Sequence, residues 1–175
     1  MKKFFLLFLA FSSIVLPQTL MNTVNLPSGT FWSSGYGLVY ENSKYWLSSS
    51  NSTSGRGIIY AVDDTGVLVD TITMNYPTIR ESQGLAFDGN YFWYVERKIA
   101  RCDLFKIDPS GNVLDSITST QLFGGSQYLG GAAWDGTGLW ISVYSPDANV
   151  ALYKINTTTK QVVDTINFLN FAPGQ

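Results

Sequence analysis

The side chains that could do chemistry lie in irregular segments between short apolar runs of the sequence. A carboxylate in such a segment could act as a general acid or base, and arginine, glutamine and tyrosine side chains could bind a polar ligand. Each of these positions is also compatible with an ordinary solvated loop residue, so no single catalytic residue is assigned. The candidate binding residues are Arg80, Glu81, Gln83, Glu96, Arg97, Arg101, Tyr128, Tyr144 and Asp147.

The composition excludes several kinds of site. The chain has no histidine, which removes Ser-His-Asp and Cys-His catalysis and histidine-based zinc sites. The segments "DDTG" and "DPSG" lack the ligand pattern of a calcium loop. No cluster of lysine and arginine is present to follow a phosphate backbone, and the net charge is −2. We therefore expect no metal, no cofactor and no nucleic-acid partner.

The elements that must position the candidate residues repeat three times along the chain. Gly37, Gly84 and Gly131 recur at an interval of 47 residues. Each unit contains four short strand-like runs, and such antiparallel units of about 40–50 residues are typical of β-propeller blades. The predicted fold is all-β, with three consecutive four-stranded antiparallel blades. In the middle unit the runs are 84–87, 91–95, 104–107 and 113–117.

Short turns join the strands within each unit. The Asp-Gly pairs at 88–89 and 135–136 predict two-residue hairpin turns between the first and second strands, because both positions tolerate a positive φ. The segment "DPSGN" at 108–112 predicts a turn between the third and fourth strands. The longer and more variable connections emerge at the opposite end of each sheet, since successive strands are antiparallel. We call this the variable-loop end, and it carries the candidate binding residues.

Two sets of repeated residues fit structural roles. Tryptophans recur at the 47-residue interval and are expected to be buried anchors between neighbouring blades. Aspartates recur in the fourth strand of each unit, one per blade, so they are too far apart to form one site and are expected to hydrogen-bond locally. The two sets are Trp46, Trp93 and Trp140, and Asp70, Asp115 and Asp164.

The first 20 residues have the pattern of a secretory signal peptide. "MKK" is followed by the apolar run "FFLLFLAFSSIVL", which is too short for a comfortable membrane span. We expect this leader to be removed, leaving no stable membrane span in a secreted, periplasmic or cell-surface protein. Cys102 is the only cysteine, so no disulfide forms within the chain and packing alone must stabilise it.

The predicted domain covers residues 22–175, with blades at about 31–76, 77–121 and 122–171. Residues 22–29 resemble a fourth strand that would belong to a closing blade, and the chain ends after another fourth strand. Closure of a propeller normally takes at least four blades. The sequence therefore predicts an incomplete or truncated propeller, with assembly of several chains into a ring as the alternative. In either case open blade faces are expected to favour self-association.

The repeated segments resemble known families. "GLAFDGNYFW" and "LFKIDPSGNVLDSI" look like blades of bacterial secreted propellers of the YVTN, NHL and senescence marker protein-like group, and the resemblance covers roughly residues 22–175. They also resemble plant-type glutaminyl cyclases through "SQGLAFDG". That family places a glutamate near the position of Tyr94, whereas the nearest carboxylate in this chain is Glu96.

Two kinds of function are compatible with these observations. The first is an exported module that binds a protein or glycan ligand through the variable-loop end. The second is a glutaminyl cyclase-like acyltransferase, in which a carboxylic acid moves protons, or another propeller enzyme of the lactonase or lyase type. The sequence does not decide whether the protein is an enzyme, because propeller blades serve both kinds of protein.

Overall fold

The structure is a computed structural model that describes Thr23 and residues 37–51, 56–76, 81–97, 102–144 and 151–168. The predicted leader lies outside these residues, and so does the predicted strand at 22–29 except for Thr23. The described residues form twelve strands and one short helix, and the three consecutive four-stranded blades predicted from the sequence are confirmed.

Each blade is one antiparallel sheet whose strands pair in chain order. Within the described ranges the three sheets are not joined into a closed ring, and the architecture is all-β. Blade 1 contains β1 (Gly37–Glu41), β2 (Lys44–Asn51), β3 (Arg56–Val62) and β4 (Leu68–Thr73). Blade 2 contains β5 (Glu81–Phe87), β6 (Phe92–Arg97), β7 (Cys102–Ile107) and β8 (Val113–Thr118). Blade 3 contains β9 (Tyr128–Trp134), β10 (Leu139–Tyr144), β11 (Ala151–Asn156) and β12 (Gln161–Asn167).

The turns between the first and second strands of blades 2 and 3 differ from the predicted two-residue hairpins. In blade 1, Glu41 pairs with Lys44, and the two-residue turn is formed by Asn42 and Ser43, whose φ angles are 53° and 58°. In blade 2 the Asp-Gly pair instead begins a four-residue connection from Asp88, which is repeated in blade 3. The reason is local, because the Asp88 carboxylate accepts the N–H groups of the next residues and holds the chain in a wider turn.

A short helix, α1 (Ser119–Phe123), lies in the connection from blade 2 to blade 3 and was not expected from the sequence. Thr118 caps it, because its hydroxyl accepts the N–H of Gln121 and the Gln121 side chain accepts the N–H of Thr118. Gly124 ends it with φ 70°.

The core consists of two apolar layers, one between each pair of neighbouring blades. Residues of β6 alternate between these layers, so Phe92 and Tyr94 face blade 1 while Trp93 and Val95 face blade 3. Blade 2 is therefore covered on both faces, whereas blades 1 and 3 are each covered by a described blade on one face only. This arrangement explains why the sequence repeats: one blade alone would leave both of its apolar faces in water.

The repeated glycines lie where the innermost strands of neighbouring blades meet. A Cβ on Gly37 would come within 2.3 Å of the N atom of Leu85 in β5, and a Cβ on Gly84 would come within 2.8 Å of the N atom of Ala132 in β9. The equivalent Gly131 of blade 3 has only the Ser142 hydroxyl within 4 Å, at 3.8 Å. The glycine repeat therefore allows the inner strands of consecutive blades to approach closely.

Candidate functional site

The carboxylates at the short-turn end of the sheets stabilise the turns that contain them. Asp63, Asp88, Asp108 and Asp135 each accept backbone N–H groups two to four residues further along the chain. Hydrogen bonds from the side chain of Thr65 and from the Val67 N–H lower the pKa of Asp63, and hydrogen bonds from Asn112 lower that of Asp108. All four carboxylates are engaged in these turns, so this end of the sheets does not resemble a reactive site.

The repeated tryptophans lie on the face of each blade that is directed toward the next blade. Trp46 packs against Phe92 of blade 2 with ring centroids 4.9 Å apart, and the buried Trp93 packs in the layer against blade 3. Trp140 occupies the same place on the face of blade 3 that is directed away from blade 2, and it is partly buried. The indole N–H groups of Trp93 and Trp140 donate to Asp88 and Asp135. These contacts place the tryptophans in the scaffold.

The repeated aspartates make local contacts. Asp70, Asp115 and Asp164 each accept the N–H of the following residue at 2.7–2.8 Å. Each directly follows an extra residue that interrupts the pairing of the third and fourth strands, which is a β-bulge. Asp115 additionally forms an ion pair with Lys160 of blade 3 at 2.6 Å. Two of these aspartates therefore act within their own blade, and Asp115 also links two blades.

A pair of buried carboxyl groups distinguishes the variable-loop end of blade 2. Glu96 near the end of β6 and Asp103 near the start of β7 are direct cross-strand partners, and both side chains are almost completely removed from solvent. Ser82 of β5 pairs with Glu96 on its other side and is also buried. Residues directly opposite on antiparallel strands point to the same face of the sheet, so the three side chains lie side by side on the face directed toward blade 1.

The fold itself does not require carboxyl groups at these positions. The equivalent cross-strand pair is Ser49 and Ile58 in blade 1, and Val143 and Ala151 in blade 3, and all four residues are buried. Burial of a carboxylate is unfavourable, and a second carboxylate beside it makes ionisation of both harder still. Blade 2 therefore has two carboxyl groups, whose burial is unfavourable, at a place where the other two blades have neutral side chains.

A tyrosine and three serines extend this polar cluster into the boundary between blades 1 and 2. The Tyr94 hydroxyl donates to the main-chain oxygen of Ser49 at 2.9 Å, and the Ser82 hydroxyl donates to that of Ser48. Burial raises the pKa of Tyr94, a hydrogen bond with Ser82 opposes this, and the negative charge of Glu96 raises it further. The Tyr94 hydroxyl consequently stays protonated and serves as a hydrogen-bond donor.

The other predicted site residues are only partly described. Gln83 is half-buried at the irregularity in β5 and donates to the Ser82 main-chain oxygen at 3.2 Å, while Tyr128 is exposed at the start of β9 in blade 3. The backbones of Glu81 and Arg97 are direct partners at the ends of β5 and β6, one position from Ser82 and Glu96. Tyr144 pairs with Tyr128. Arg80, Arg101 and Asp147 lie outside the described residues.

The structure thus places Glu81, Gln83, Glu96 and Arg97 together on blade 2 and places Tyr128 and Tyr144 together on blade 3. Sequence reasoning missed Asp103, Ser82 and the role of Tyr94. Asp103 carried no signal at the repeat interval, because the connections between the second and third strands differ in length among the three units.

Metal and membrane features can be assessed over the same described ranges. No three His, Cys, Asp or Glu side chains among those residues come together as a metal site. No helix within them has the length and apolar character needed to cross a bilayer. These findings leave the carboxyl pair as the most distinctive chemical feature of the described part of the chain.

Comparison with known proteins supports the fold and leaves the function open. Residues 97–174 match the model of a family of unknown function, DUF6454. No curated protein matches the sequence. The chain is similar to an engineered GH43 glycoside hydrolase with endo-xylanase and exo-arabinofuranosidase activity, with 14% identity and a TM-score of 0.54, over 83% of this chain and 30% of that one.

Two further structures match less well. Hydrazine synthase of Kuenenia stuttgartiensis has 14% identity and a TM-score of 0.49 over 75% of this chain and 36% of that one. The Dos1 propeller has 13% identity and a TM-score of 0.48 over 74% of this chain and 36% of that one. The chain spans about a third of the length of each of these structures. At such low identity the similarity concerns the propeller-type fold alone.

Proposed function

We propose that the protein is an exported propeller-type module that binds a protein or glycan ligand at the variable-loop end, where blades 1 and 2 meet. The observation that supports this proposal is the replacement of neutral buried pairs by Glu96 and Asp103 in blade 2 only. A packing requirement would act on all three blades, so the carboxyl pair serves something other than packing.

The pair contributes to binding from beneath the surface. Glu96 and Asp103 are too deeply buried to contact a large ligand, but their negative charge acts on the strand ends that carry Glu81 and Arg97. We expect the acidic pair to favour ligands that donate hydrogen bonds or carry positive charge, such as sugar hydroxyls or the lysine and arginine side chains of a protein. It disfavours acidic ligands. The secretory leader motivates the export part of the proposal.

The binding test uses an array of neutral oligosaccharides, basic peptides and acidic peptides probed with the full chain. We expect binding to members of the first two groups and at least about tenfold weaker binding by Glu96→Gln. Asp164→Asn is the matched control, because it removes a carboxylate from an exposed strand of blade 3, and it should bind like the wild type. Equal binding of acidic peptides, or full affinity of Glu96→Gln, would refute the proposal.

A second function, acid–base catalysis of the glutaminyl cyclase type, is suggested by the same carboxyl pair and requires the boundary of blades 1 and 2 to open, because Glu96 is fully buried. Two neighbouring carboxyl groups of which one donates a proton are an arrangement that acid–base enzymes use. In cyclisation the α-amine of an N-terminal glutamine attacks the side-chain amide carbon and loses a proton, while a carboxylic acid protonates the amide nitrogen, so that the amide C–N bond breaks and ammonia leaves. The glutaminyl cyclases that the sequence resembles have their glutamate near the position of Tyr94. Glu96 lies two residues further along β6, and its side chain points to the same face of the strand as that of Tyr94.

Incubation with a peptide that begins with glutamine separates the two functions. Ammonia release with formation of the cyclic N-terminus, abolished in Glu96→Gln and retained in Asp164→Asn, would assign the enzyme. Absence of ammonia release together with binding on the array would assign the module.

A further inference from the structure

Blade 1 and blade 3 each have one face that no other described blade covers. The leading face is the face of blade 1 directed away from blade 2, and it contains Leu38 and Tyr40. The trailing face is the face of blade 3 directed away from blade 2, and it contains Gly131, Trp140 and Ile166. We infer that the leading face of one chain binds the trailing face of a second copy, so that two chains close head-to-tail into one ring of six blades.

The leading face contains residues that are buried wherever a preceding blade is present. Leu38 is 61% exposed, whereas its equivalent in blade 2, Leu85, is 1% exposed and packs in the layer against blade 1. Tyr40 is 60% exposed, and its equivalent Phe87 is partly buried in the same layer. The side chains remain apolar or aromatic although nothing described covers them.

The trailing face likewise contains residues whose equivalents are buried wherever a following blade is present. Leu139 and Ile141 face blade 2, so Trp140 between them points outward, in the place that Trp93 occupies against blade 3. Ile166 is 47% exposed, whereas the equivalent Ile117 is fully buried against blade 3. Gly131 is open on this face, although its equivalents Gly37 and Gly84 both lie against the inner strand of the following blade.

The polar groups on the trailing face do not obstruct this packing. Lys154 lies 5.8 Å from the ring centroid of Trp140 and forms an ion pair with Asp135 at 2.6 Å. In blade 2, Lys106 lies in the same way over Trp93, at 5.7 Å, and that face is covered by blade 3. The same pair of a lysine and a tryptophan is therefore already accommodated inside an interface between two blades.

The turn of blade 1 is also compatible with this contact. In both interfaces within the chain, the turn before the fourth strand of one blade contacts the end or the side of the fourth strand of the preceding blade. Between blades 1 and 2, the Gly111 main-chain oxygen accepts the Asn75 N–H at 2.8 Å. Between blades 2 and 3, Lys160 forms an ion pair with Asp115. Gly66 occupies the equivalent place in blade 1 and has the same φ as Gly111, 86°. It can approach β12 of a second copy as Gly111 approaches Thr73.

Six blades are within the range that closed propellers adopt, which is typically four to eight. The two free faces are the two halves of an interface that the chain already forms twice. A head-to-tail contact between such faces closes into a ring when the rotation per blade permits it, and forms an open filament when it does not. A second copy of the chain therefore presents the matching half of this interface.

The test uses sedimentation velocity of the full chain over a range of concentrations. We expect the wild type to sediment with twice the mass of a single chain. Leu38→Glu and Ile166→Glu each place a charge on one face at an exposed position, and each should sediment as a single chain, with a dissociation constant raised at least about tenfold. A mixture of the two variants should regain the mass of two chains, because one chain contributes an intact leading face and the other an intact trailing face.

Leu114→Glu and Val163→Glu are matched controls. These bulge residues of β8 and β12 are 50% and 55% exposed, and Leu114 is exposed although blade 2 is covered on both faces, so neither residue belongs to an interface between blades. Both controls should keep the mass of two chains. Gly131→Ala adds a methyl group in open space within the chain and serves as a second trailing-face variant if Ile166→Glu does not fold.

A single-chain mass for the wild type, an open series of larger assemblies, association that survives Leu38→Glu, or a failure of the mixture to associate would each overturn the inference.

Discussion

Adding one methyl group to Gly84 tests the close approach of the inner strands. In Gly84→Ala the new Cβ would lie 2.8 Å from the Ala132 N atom, 2.8 Å from the Gly130 O atom and 3.0 Å from the Gly131 Cα. An ordinary contact begins at 3.4 Å, so β5 and β9 must separate by about 0.6 Å. All three atoms belong to the backbone of a paired strand, and no flexible side chain can move aside instead.

The magnitude follows from two opposing effects. Overpacking of a close contact destabilises by about 1–3 kcal/mol. Replacement of glycine by alanine within a strand stabilises by roughly 0.5–1 kcal/mol, because glycine loses more conformational freedom on folding. Gly84→Ala should therefore lower the free energy of unfolding by about 1–2 kcal/mol. Gly131→Ala experiences only the second effect within the chain and should raise it by roughly 0.5–1 kcal/mol.

The assay is urea unfolding followed by tryptophan fluorescence. Both variants are made together with Leu38→Glu, so that association between chains does not contribute to the measured free energy. The decisive quantity is the difference between the two alanine variants, which should be about 1–3 kcal/mol, because the gain from replacing glycine is common to both and only the overpacking differs. If Gly84→Ala were as stable as Gly131→Ala, the inner strands of blades 2 and 3 would not be in contact in solution.

The remaining predictions concern the contacts between blades. Trp93→Ala should destabilise by roughly 3–5 kcal/mol in the same urea assay, because Trp93 is buried between blades 2 and 3, and a change below about 1 kcal/mol would show that it faces solvent. Burial alone would raise the pKa of Asp115, but the hydrogen bonds from Lys160 and the Ser116 N–H together with the charges of Lys160 and Lys106 lower it. The Lys160 ion pair therefore stabilises the fold above the unfolded pKa of about 4 and is lost as the pH falls through the lower folded value. Both partners are about one-third exposed, so Lys160→Met should lower the free energy of unfolding by only about 0.5 kcal/mol at pH 7 and should have no effect in acid. An equal loss of stability at both pH values would show that the Lys160–Asp115 ion pair does not contribute.

The scaffold could be predicted because its requirements recur at a constant interval. Gly37 and Gly84 are needed where two inner strands meet. Trp93 is buried between blades 2 and 3, which is the place that the tryptophan repeat predicts. The turns were predicted less well. An Asp-Gly pair is compatible with a two-residue hairpin, and the sequence does not show that the Asp88 carboxylate will bind the following N–H groups and widen the turn.

The carboxyl pair could not be recognised from the interval alone. Glu96 lies 47 residues from both Ser49 and Val143, but its partner Asp103 lies 45 residues from Ile58 and 48 from Ala151. The connections between the second and third strands differ in length, so the third strands lose the common interval. Only the strand pairing of the folded protein shows that Asp103 is opposite Glu96.

Two kinds of departure from the repeat lead to two different conclusions. At Glu96 and Asp103 the burial is the same as in the other blades while the chemistry changes, so a requirement beyond packing acts on blade 2. At Leu38 and Ile166 the apolar chemistry is kept while the burial is lost, so the side chains match a neighbour that the described residues do not supply. We propose that the first departure concerns a ligand and that the second concerns a partner blade. They lie at different places, the boundary of blades 1 and 2 and the two outer faces, so Glu96→Gln should leave the association of chains intact, just as Leu38→Glu should leave the carboxyl pair in place.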